Sequence, residues 1–554
     1  MKNRIYYIIL LLTGLFILQG AYAQEETIKK EVRVVKAYEP RLSDAYKINM
    51  LPVMDDTLKL STETTYTIYP KDFQPEYEFT PLKPARMESE YISKLYHSYL
   101  KLAFGSNLTP YGELSISNLR SKTLSIGAWV RHISSYGNVK LQNDQKVFSG
   151  YGDTDFLLHG KKVFKKAVLS AEAGVNQDWV HAYGYNPEVD TSLLRDDIRR
   201  DYLDLYGGLK IESTYLDSNH LNYKFQGNYH YFKDRFKNTQ NEFYFNGRLN
   251  KIFLKNKMFG LDFGGLYLGS NLDSLPEPVT YINFKPWYSQ STELWRLDLA
   301  LNVNLENESG KMVLHIYPNA RFHFNVVPQY LTAFVGVKGE FESHTYRQMI
   351  AENPYQVPGL NVKGTDSKMN FFGGFNGSFS RKSAYHIRVS YSLVDQMYFF
   401  VNDTLSGIGN QFYFEYDDVE IFRVFGEVST KIGSSAEIFL KANYYHYGMS
   451  TQARAWNKPD FDATATFRYN MRKKIMFDLD VYYIGKRYAK SYEFARPEIG
   501  LDGFVDLNFK AEYQFTKLLS FYLRLNNILG QGYQIWNQYP VQRFSVFAGF
   551  SYIL

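Results

Sequence analysis

A segment near the C terminus alternates between apolar and polar side chains without interruption. In residues 505–515 every odd position is apolar or aromatic and every even position is polar or charged. A period of two residues is that of a β-strand, whose side chains point to opposite faces in turn. The eleven residues also match the length of a tilted strand that crosses a bilayer. We therefore expect the odd positions to face lipid and the even positions to face a wet interior.

The same pattern recurs from about residue 97 to residue 554. About 22 such segments can be counted, and we expect an even number between about 20 and 22. They begin near residues 97, 111, 123, 152, 167, 200, 221, 241, 258, 279, 294, 311, 330, 366, 384, 418, 435, 459, 475, 500, 518 and 540.

The connections between these segments alternate in length. Short ones lie at 120–122, 165–166, 254–257, 381–383, 472–474 and 516–517. The alternate connections include the long stretches of about 183–199, 345–365, 400–417 and 486–499. Outer-membrane barrels have short periplasmic turns and longer extracellular loops. The fold class predicted is therefore all-β, a transmembrane antiparallel barrel of about 22 strands preceded by a short extended arm.

Composition supports this fold class and excludes several others. Aromatic residues make up 17% of the chain, and the mean hydropathy of −0.36 argues against a bundle of membrane helices. The absence of cysteine excludes disulfide frameworks, thiolate metal sites and cysteine nucleophiles. A net charge of only +6 gives no reason to expect a nucleic-acid partner.

The N terminus has the features of a secretory signal peptide over residues 1–23. Lys2 and Arg4 precede the apolar run 5–18, and residues 21–23 offer a small-residue cleavage site before Gln24. No later run of about 18 apolar residues could serve as a spanning helix. We expect the mature chain to reach the outer membrane of a Gram-negative bacterium, where lipid is its first partner.

Residues 24–96 form a different kind of segment, which we call the arm. It contains no glycine and six prolines, a composition that disfavours helix interiors and central strands. Within the arm, Val32, Arg33, Val34 and Val35 could add as a strand to the sheet edge of a partner protein. An ordinary edge strand or a filler of the barrel lumen is the alternative. Residues 97–554 are assigned to the barrel.

The C-terminal part resembles the end of TonB-dependent receptor barrels. The resemblance rests on residues 483–488 (YIGKRY), 525–529 (LNNIL), Tyr533, Trp536, Tyr539-Pro540 and Arg543-Phe544, in this order over about 70 residues. The aromatic, cysteine-free style looks like that of Bacteroidota outer-membrane proteins. The resemblance implies a barrel of about 22 strands and a role in uptake across the outer membrane.

The same family carries a folded, glycine-containing plug domain ahead of the barrel. Here only about 73 residues separate the cleavage site from the first strand, and none of them is glycine. Tight turns are hard to build without glycine. The resemblance therefore covers the barrel, and we expect the plug to be missing.

No catalytic, cofactor or metal site is predicted. The eleven histidines lie apart from one another, and no nucleotide-binding or hydrolase motif occurs. Carboxylates such as Asp478, Asp480, Asp506 and Glu512 fall on the polar face of strands, where a barrel interior accommodates charge. We do not expect an enzyme.

The short connections collect cations, which we call the basic rim. Such a ring would attract lipid headgroups or an acidic periplasmic partner, although turns can also be simply solvated. Its members are Arg120, Lys122, Lys165, Lys166, Lys255, Lys257, Arg381, Lys382, Arg472, Lys473, Lys474 and Lys517.

Aromatic residues flank one outer connection and form what we call the aromatic stretch. Aromatics at strand ends commonly form an interfacial girdle, and the alternative is an extracellular contact with a ligand or a protein. The members are Tyr398, Phe399, Phe400, Phe412, Tyr413, Phe414 and Tyr416.

Two functions remain open from the sequence. The first is solute uptake across the outer membrane, with the arm as a reduced gate. The second is a structural subunit of an envelope complex that docks a periplasmic or outer-membrane partner. In both cases something must fill a barrel of this size, because a 22-stranded barrel normally has a plugged lumen.

Overall fold

The computed structural model describes residues 96–554, except for 119–120, 122, 142–143, 186–193, 216–217, 255, 276, 309, 362, 404–407 and 494–495. The described residues form an all-β structure whose main sheet has 22 strands, each paired antiparallel with its neighbours. The first strand pairs with both the second and the last, so the sheet closes into a barrel. Closure pairs the edge strands, which is what allows a sheet to span lipid.

The first eleven barrel strands are β1 (Ser98–Gly105), β2 (Thr109–Ser117), β3 (Leu124–Ser135), β6 (Tyr151–Val163), β7 (Ala167–His181), β8 (Arg199–Ser213), β9 (Asn222–Asp234), β10 (Thr239–Leu254), β11 (Lys257–Ser270), β12 (Val279–Ser291) and β13 (Trp295–Glu308). The other eleven are β14 (Lys311–Val327), β15 (Leu331–Glu342), β16 (Thr365–Ser380), β17 (Ser383–Asn402), β18 (Phe412–Ile432), β19 (Ala436–Met449), β20 (Phe461–Met471), β21 (Ile475–Ile484), β24 (Phe504–Gln514), β25 (Leu519–Asn526) and β28 (Ser545–Ile553).

Three small hairpins and one helix lie in the connections between barrel strands. The hairpins are β4 (Asn138–Lys140) with β5 (Lys146–Phe148), β22 (Arg487–Glu493) with β23 (Arg496–Leu501), and β26 (Gln534–Trp536) with β27 (Tyr539–Pro540). The helix is α1 (Tyr346–Glu352). No helix among the described residues is both long enough and apolar enough to cross a membrane.

The strands alternate as the sequence predicts. On β17 the side chains of Ile387, Val389 and Tyr391 are 45%, 42% and 39% exposed and face outward, toward lipid. Arg388, which lies between two of them, is half-buried and faces the lumen. An apolar exterior with a polar interior is the pattern of a transmembrane barrel.

The strand positions predicted from the sequence are confirmed to within six residues. The largest difference is at β18, which begins at Phe412 rather than near 418. The pairing between β17 and β18 continues as far as Asn402 opposite Phe412, past a register shift between Val394 and Met397. These two strands are therefore 20 and 21 residues long, and the aromatic stretch belongs largely to this extended hairpin.

The two ends of the barrel differ as predicted. One end, the short-turn end, carries ten short connections and both ends of the described chain, since Ser98 and Leu554 exchange backbone hydrogen bonds there. The other, the long-loop end, carries four shorter connections and the seven longer connections 136–150, 182–198, 343–364, 403–411, 450–460, 485–503 and 527–544. By the rule for outer-membrane barrels, the short-turn end is periplasmic.

Candidate functional site

Side chains from several long loops form one packed apolar group, which we call the mouth cluster. Most of its members belong to connections rather than to barrel strands. Its buried members are Val139, Leu141, Ala182, Tyr183, Tyr185, Ile198, Phe400, Phe412 and Tyr539. Because all these loops rise from the same end of the barrel, the cluster lies at the mouth.

Three tyrosine rings lie at the centre of the mouth cluster. The ring centroids of Tyr355 and Tyr539 are 3.8 Å apart in a stacked arrangement. Tyr183 lies 5.0 Å from Tyr539 and 6.1 Å from Tyr355. Each tyrosine comes from a different long loop, so the three loops are held together by aromatic packing.

Hydrogen bonds join the same loops. The Tyr183 hydroxyl donates to the carbonyl of Pro540 at 2.9 Å, and the Tyr539 hydroxyl donates to the carbonyl of Asn410 at 2.5 Å. The side-chain amide of Asn410 donates to the carbonyl of Ala182 at 2.8 Å. The connections 182–198, 403–411 and 527–544 are thereby linked in a triangle.

These links reach across the barrel. The loop 182–198 follows β7, the fifth barrel strand, whereas the loop 403–411 follows β17, the fifteenth. In a ring of 22 strands these positions are on nearly opposite sides. Loops from opposite sides can touch only by extending over the opening. The long-loop end is therefore bridged by the mouth cluster.

The interior of the mouth cluster is a poor environment for charge. Burial raises the pKa of Tyr355 to about 12. Burial also raises the pKa values of Tyr183 and Tyr539 well above the ordinary value of a phenol. All three hydroxyls are therefore neutral at physiological pH and remain hydrogen-bond donors.

Some buried polar atoms at the mouth are not satisfied. Gln356 is fully buried, and neither atom of its side-chain amide finds a hydrogen-bond partner among the described residues. The same holds for Nδ2 of Asn353 and Oδ1 of Asn410. A buried polar atom that is left without any hydrogen bond costs about 1–3 kcal/mol relative to its hydrated state. The closed mouth therefore combines tight aromatic packing with an opposing polar penalty.

Helix α1 holds the loop 343–364 in place. Its N terminus has a capping box, in which the Thr345 hydroxyl accepts from the backbone N–H of Gln348 and the Gln348 side chain accepts from the N–H of Thr345. Tyr346 is completely buried, and its hydroxyl donates to Asp234 at 2.8 Å. The helix thus rests on the outer ends of β9 and the strands beside it.

An ion pair ties α1 to the barrel wall. Arg347 donates through Nε and Nη2 to one oxygen of Glu242, at 3.0 and 2.7 Å. The side chain of Glu242 is 0% exposed, and Asp204 lies 3.8 Å from Nη1 of the same arginine. A buried carboxylate depends strongly on such a partner. This pair therefore acts as an anchor for the loop.

His344, just before the helix, is buried in the same loop. Burial lowers the pKa of His344 to about 4, although Glu352 opposes the shift. Nε2 of the ring lies 2.9 Å from the hydroxyl of Thr365. The ring is therefore neutral at pH 7 while the loop is packed.

The lumen wall carries charge, as expected from the sequence. Asp478 accepts from Arg468 at 2.9 Å, and Glu512 lies 3.2 Å from Lys510. Asp506 accepts from the hydroxyl of Tyr533 at 2.9 Å. Asp480 similarly accepts from Thr466. A cavity of about 600 Å³ lies along β9–β15, lined by polar, charged and aromatic side chains.

Among the described residues, no three histidine or acidic side chains come together in a group that could hold a metal ion. The structure therefore offers nothing on which to build a metal site within that part of the chain.

The predicted sites are placed as follows. The arm segment of Val32, Arg33, Val34 and Val35 lies outside the described residues, as do Arg120, Lys122 and Lys255 of the basic rim. The remaining rim members all lie at the short-turn end, and all except the half-buried Lys257 are exposed. They are Lys165, Lys166, Lys257, Arg381, Lys382, Arg472, Lys473, Lys474 and Lys517. Their role in binding stays a prediction.

The aromatic stretch is packed into the long loops. Phe399, Phe400 and Phe412 are at most 1% exposed, and the last two belong to the mouth cluster. The Tyr398 hydroxyl donates to Glu352 at 2.5 Å. Tyr413, Phe414 and Tyr416 are half-buried beside them. A direct contact of the three phenylalanines with a ligand would require the loops to separate, and such a contact stays a prediction.

Sequence reasoning did not identify Tyr183 or Tyr355, because no local pattern distinguishes them from other loop tyrosines. Tyr539 was noted only as part of the family resemblance. The capping-box pattern at Thr345 and Gln348 is a sequence signal for α1, within the connection of about 345–365 that the sequence predicts to be a long loop.

Comparison with known proteins places the fold. No protein-family model and no curated protein matches the chain. The ferric-catecholate import receptor Fiu of E. coli K12 is similar with a TM-score of 0.61 and 8% identity, over 83% of this chain and 82% of that one. The FrpB iron transporter of Neisseria meningitidis gives 0.64 and 11%, over 84% and 82%. The copper transporter OprC gives 0.60 and 11%, over 82% and 80%.

These structures are TonB-dependent outer-membrane receptors, and the barrel of about 22 strands expected from the C-terminal motifs is confirmed. At identities this low the likeness concerns the fold. What the chain carries must be argued from its own residues.

Proposed function

We propose that this chain is an outer-membrane barrel for solute transport, closed at its long-loop end by the mouth cluster and gated in addition by the arm. The arm takes the place of a plug, as a reduced gate of about 73 residues without glycine. The similar structures are described as carriers of iron or copper, which supports a transport role without naming the solute.

The observation that carries the proposal is that polar side chains are buried at the mouth without hydrogen-bond partners among the described residues. A permanent seal is expected to satisfy its buried polar groups, as protein cores do. Here both polar atoms of the Gln356 side chain and Nδ2 of Asn353 are buried without partners among the described residues. Opening would return these groups to water and recover part of the cost of separating the rings. The hydration regained by the amides thus offsets part of the packing lost by the rings, which is what a mouth that opens and closes requires.

The test is single-channel conductance in planar bilayers. Four proteins are compared: the mature chain and a chain lacking residues 24–90, each with and without Tyr539→Ala. Two gates in series predict a silent mature chain and a large pore in the doubly altered one. Migration of unheated protein on gels checks that each barrel is folded.

Silence of all four folded proteins would refute the proposal, because the lumen would then be filled by the wall and loops themselves. A large pore in the unaltered mature chain would refute the two gates. Conductance after deletion of the arm alone would show that the mouth is open in solution and would leave the arm as the only gate.

The second candidate function is a structural subunit that docks a periplasmic partner. The observation in its favour is the basic rim, whose described members are nearly all exposed at one end. If all four proteins are silent, this function is tested by replacing Arg472, Lys473, Lys474 and Lys517 with glutamine. Loss of co-purifying envelope protein on that change would support it, and unchanged co-purification would contradict it.

A further inference from the structure

Three arginines gather on the lumen side of the wall near the short-turn end. Arg321 on β14 and Arg388 on β17 share the ring of Phe372, with guanidinium carbons 5.2 and 4.2 Å from its centroid. Arg423 on β18 lies 5.4 Å from the ring of Phe425, which is the residue opposite Arg388 in the strand register. The three guanidinium groups therefore line one patch, which we call the arginine patch.

Glycines give this patch its aromatic floor. Gly336 lies opposite Phe372 in the register, and a Cβ at Gly336 would come within 2.5 Å of that ring. Gly374 lies opposite Phe334, and a Cβ there would meet the Phe334 ring at 2.8 Å. The missing side chains let both rings lie against the wall. Arginines resting on such rings are held by cation–π attraction.

Carboxylates near Arg321 and Arg388 are not paired with them. Neither arginine forms an ion pair with any described residue. Asp298, which faces Arg321 in the register, instead accepts from Ser289 at 2.6 Å and from Arg296 at 3.1 Å. Repulsion among neighbouring guanidinium groups is therefore not offset by paired carboxylates.

Among the described residues, the third arginine is hydrogen-bonded to a neutral side chain and forms no ion pair. Arg423 donates to Oδ1 of Asn443 at 3.1 and 2.7 Å, and the Asn443 amide donates onward to Asp462 at 2.8 Å. Nε of Arg388 is buried and has no hydrogen-bond partner among the described residues. The patch thus presents unused donors in a positively charged environment.

We propose that the arginine patch binds anionic solutes that carry phosphate or several carboxylate groups. Guanidinium groups offer planar arrays of donors that match phosphate and carboxylate oxygens, and they offer no acceptor. The location on the lumen side makes the patch a binding step for material inside the barrel. The inference rests on the proposed transport function, of which it specifies the class of solute.

The test is calorimetric titration of the purified mature chain in detergent with inorganic pyrophosphate at low salt. We expect saturable binding, weakened about tenfold or more by R388Q and further by R321Q/R388Q. R388K should restore part of the affinity, since it keeps the charge. R248Q is the matched control, because Arg248 also lies on the lumen wall but is already paired with Asp262 at 2.8 Å. Its affinity should stay within about twofold of the parent.

Equal affinity in the parent and in R321Q/R388Q would overturn the proposal, as would an equal loss in R248Q. The absence of saturable binding would overturn it as well. Failure here leaves the conductance experiment unaffected, because a pore can open without anion preference. Conversely, anion binding by a barrel that never conducts would refute the transport function while the patch remained a binding site.

Discussion

Removal of the Tyr539 ring should open the long-loop end. The ring is 2% exposed and lies 3.8 Å from Tyr355, 5.0 Å from Tyr183 and 5.9 Å from Phe412, measured between centroids. Truncation of a buried aromatic residue to alanine typically costs about 3–5 kcal/mol. Since about 1.4 kcal/mol corresponds to a tenfold change in an equilibrium constant, the open population should rise by roughly two to three and a half powers of ten.

The absence of native cysteine provides a direct assay. A cysteine placed by Gln356→Cys lies in the buried mouth, and its reaction with a membrane-impermeant maleimide requires the loops to separate. When closing is faster than labelling, the rate is proportional to the open population. We expect Tyr539→Ala to raise that rate at least about a hundredfold, up to the limit set by a fully open mouth.

Two further variants make the result interpretable. Tyr539→Phe keeps the ring and removes only the hydroxyl, which donates to the carbonyl of Asn410, so it should raise the rate by about tenfold or less. Tyr513→Ala removes a tyrosine that is 42% exposed on the lipid side and should leave the rate unchanged. Equal labelling of a folded Tyr539→Ala barrel and its parent would refute the view that the tyrosines hold the mouth closed.

Two other changes in the loop 343–364 should act on the same assay. Arg347→Ala leaves the fully buried Glu242 without its cation, which typically costs about 3–5 kcal/mol. Labelling at position 356 should therefore accelerate, and adding Glu242→Gln to Arg347→Ala should reverse part of the acceleration. An unchanged labelling rate in Arg347→Ala would contradict the view that this ion pair anchors the loop. Burial lowers the pKa of His344 to about 4, so as the pH falls the separated loop takes up a proton before the packed loop does. Closure should therefore be strongest above about pH 6.5 and should weaken as the pH falls toward 4. The labelling rate is divided by that of the exposed reference cysteine in Ser106→Cys, which removes the effect of pH on the thiol itself. The corrected rate should rise over that pH range in the parent and much less in His344→Gln. Equal pH profiles would contradict the role of His344.

The barrel could be predicted from the sequence because its pattern is local. Each strand meets lipid on one face and the lumen on the other, so the contrast is written into successive residues, as in 505–515. The turns between strands then follow from the breaks in alternation. The start of β18 differs most from the prediction, because its pairing with β17 continues past the membrane-spanning part of the strands. The alternation of side chains alone does not show where that pairing begins.

The mouth cluster could not be predicted for the opposite reason. Its contacts join residues that are far apart in the chain, such as Tyr183 and Pro540, which are separated by 357 positions. Nothing in the sequence around either residue specifies the other. The aromatic stretch shows the same difficulty, because Phe400 and Phe412 have the composition of an interfacial girdle but are buried by loops from across the ring.

The energetics of the mouth connect the two functions that the sequence left open. A structural subunit would need a closure that never opens, whereas a transporter needs one that opens when a solute binds. A ligand can shift such an equilibrium only by its difference in affinity for the two states. If the closed mouth is favoured by a free energy of about 3 kcal/mol, fewer than about one barrel in a hundred is open. A solute that binds the open state about a thousandfold more tightly than the closed state would then open most of the barrels. The buried amide of Gln356, which has no partner among the described residues, lowers the free energy that favours the closed mouth. The packing of Tyr183, Tyr355 and Tyr539 raises it. The labelling rate of Gln356→Cys in the parent background measures the closure that remains once that amide is replaced, and a rate too slow to detect over days would favour the structural subunit.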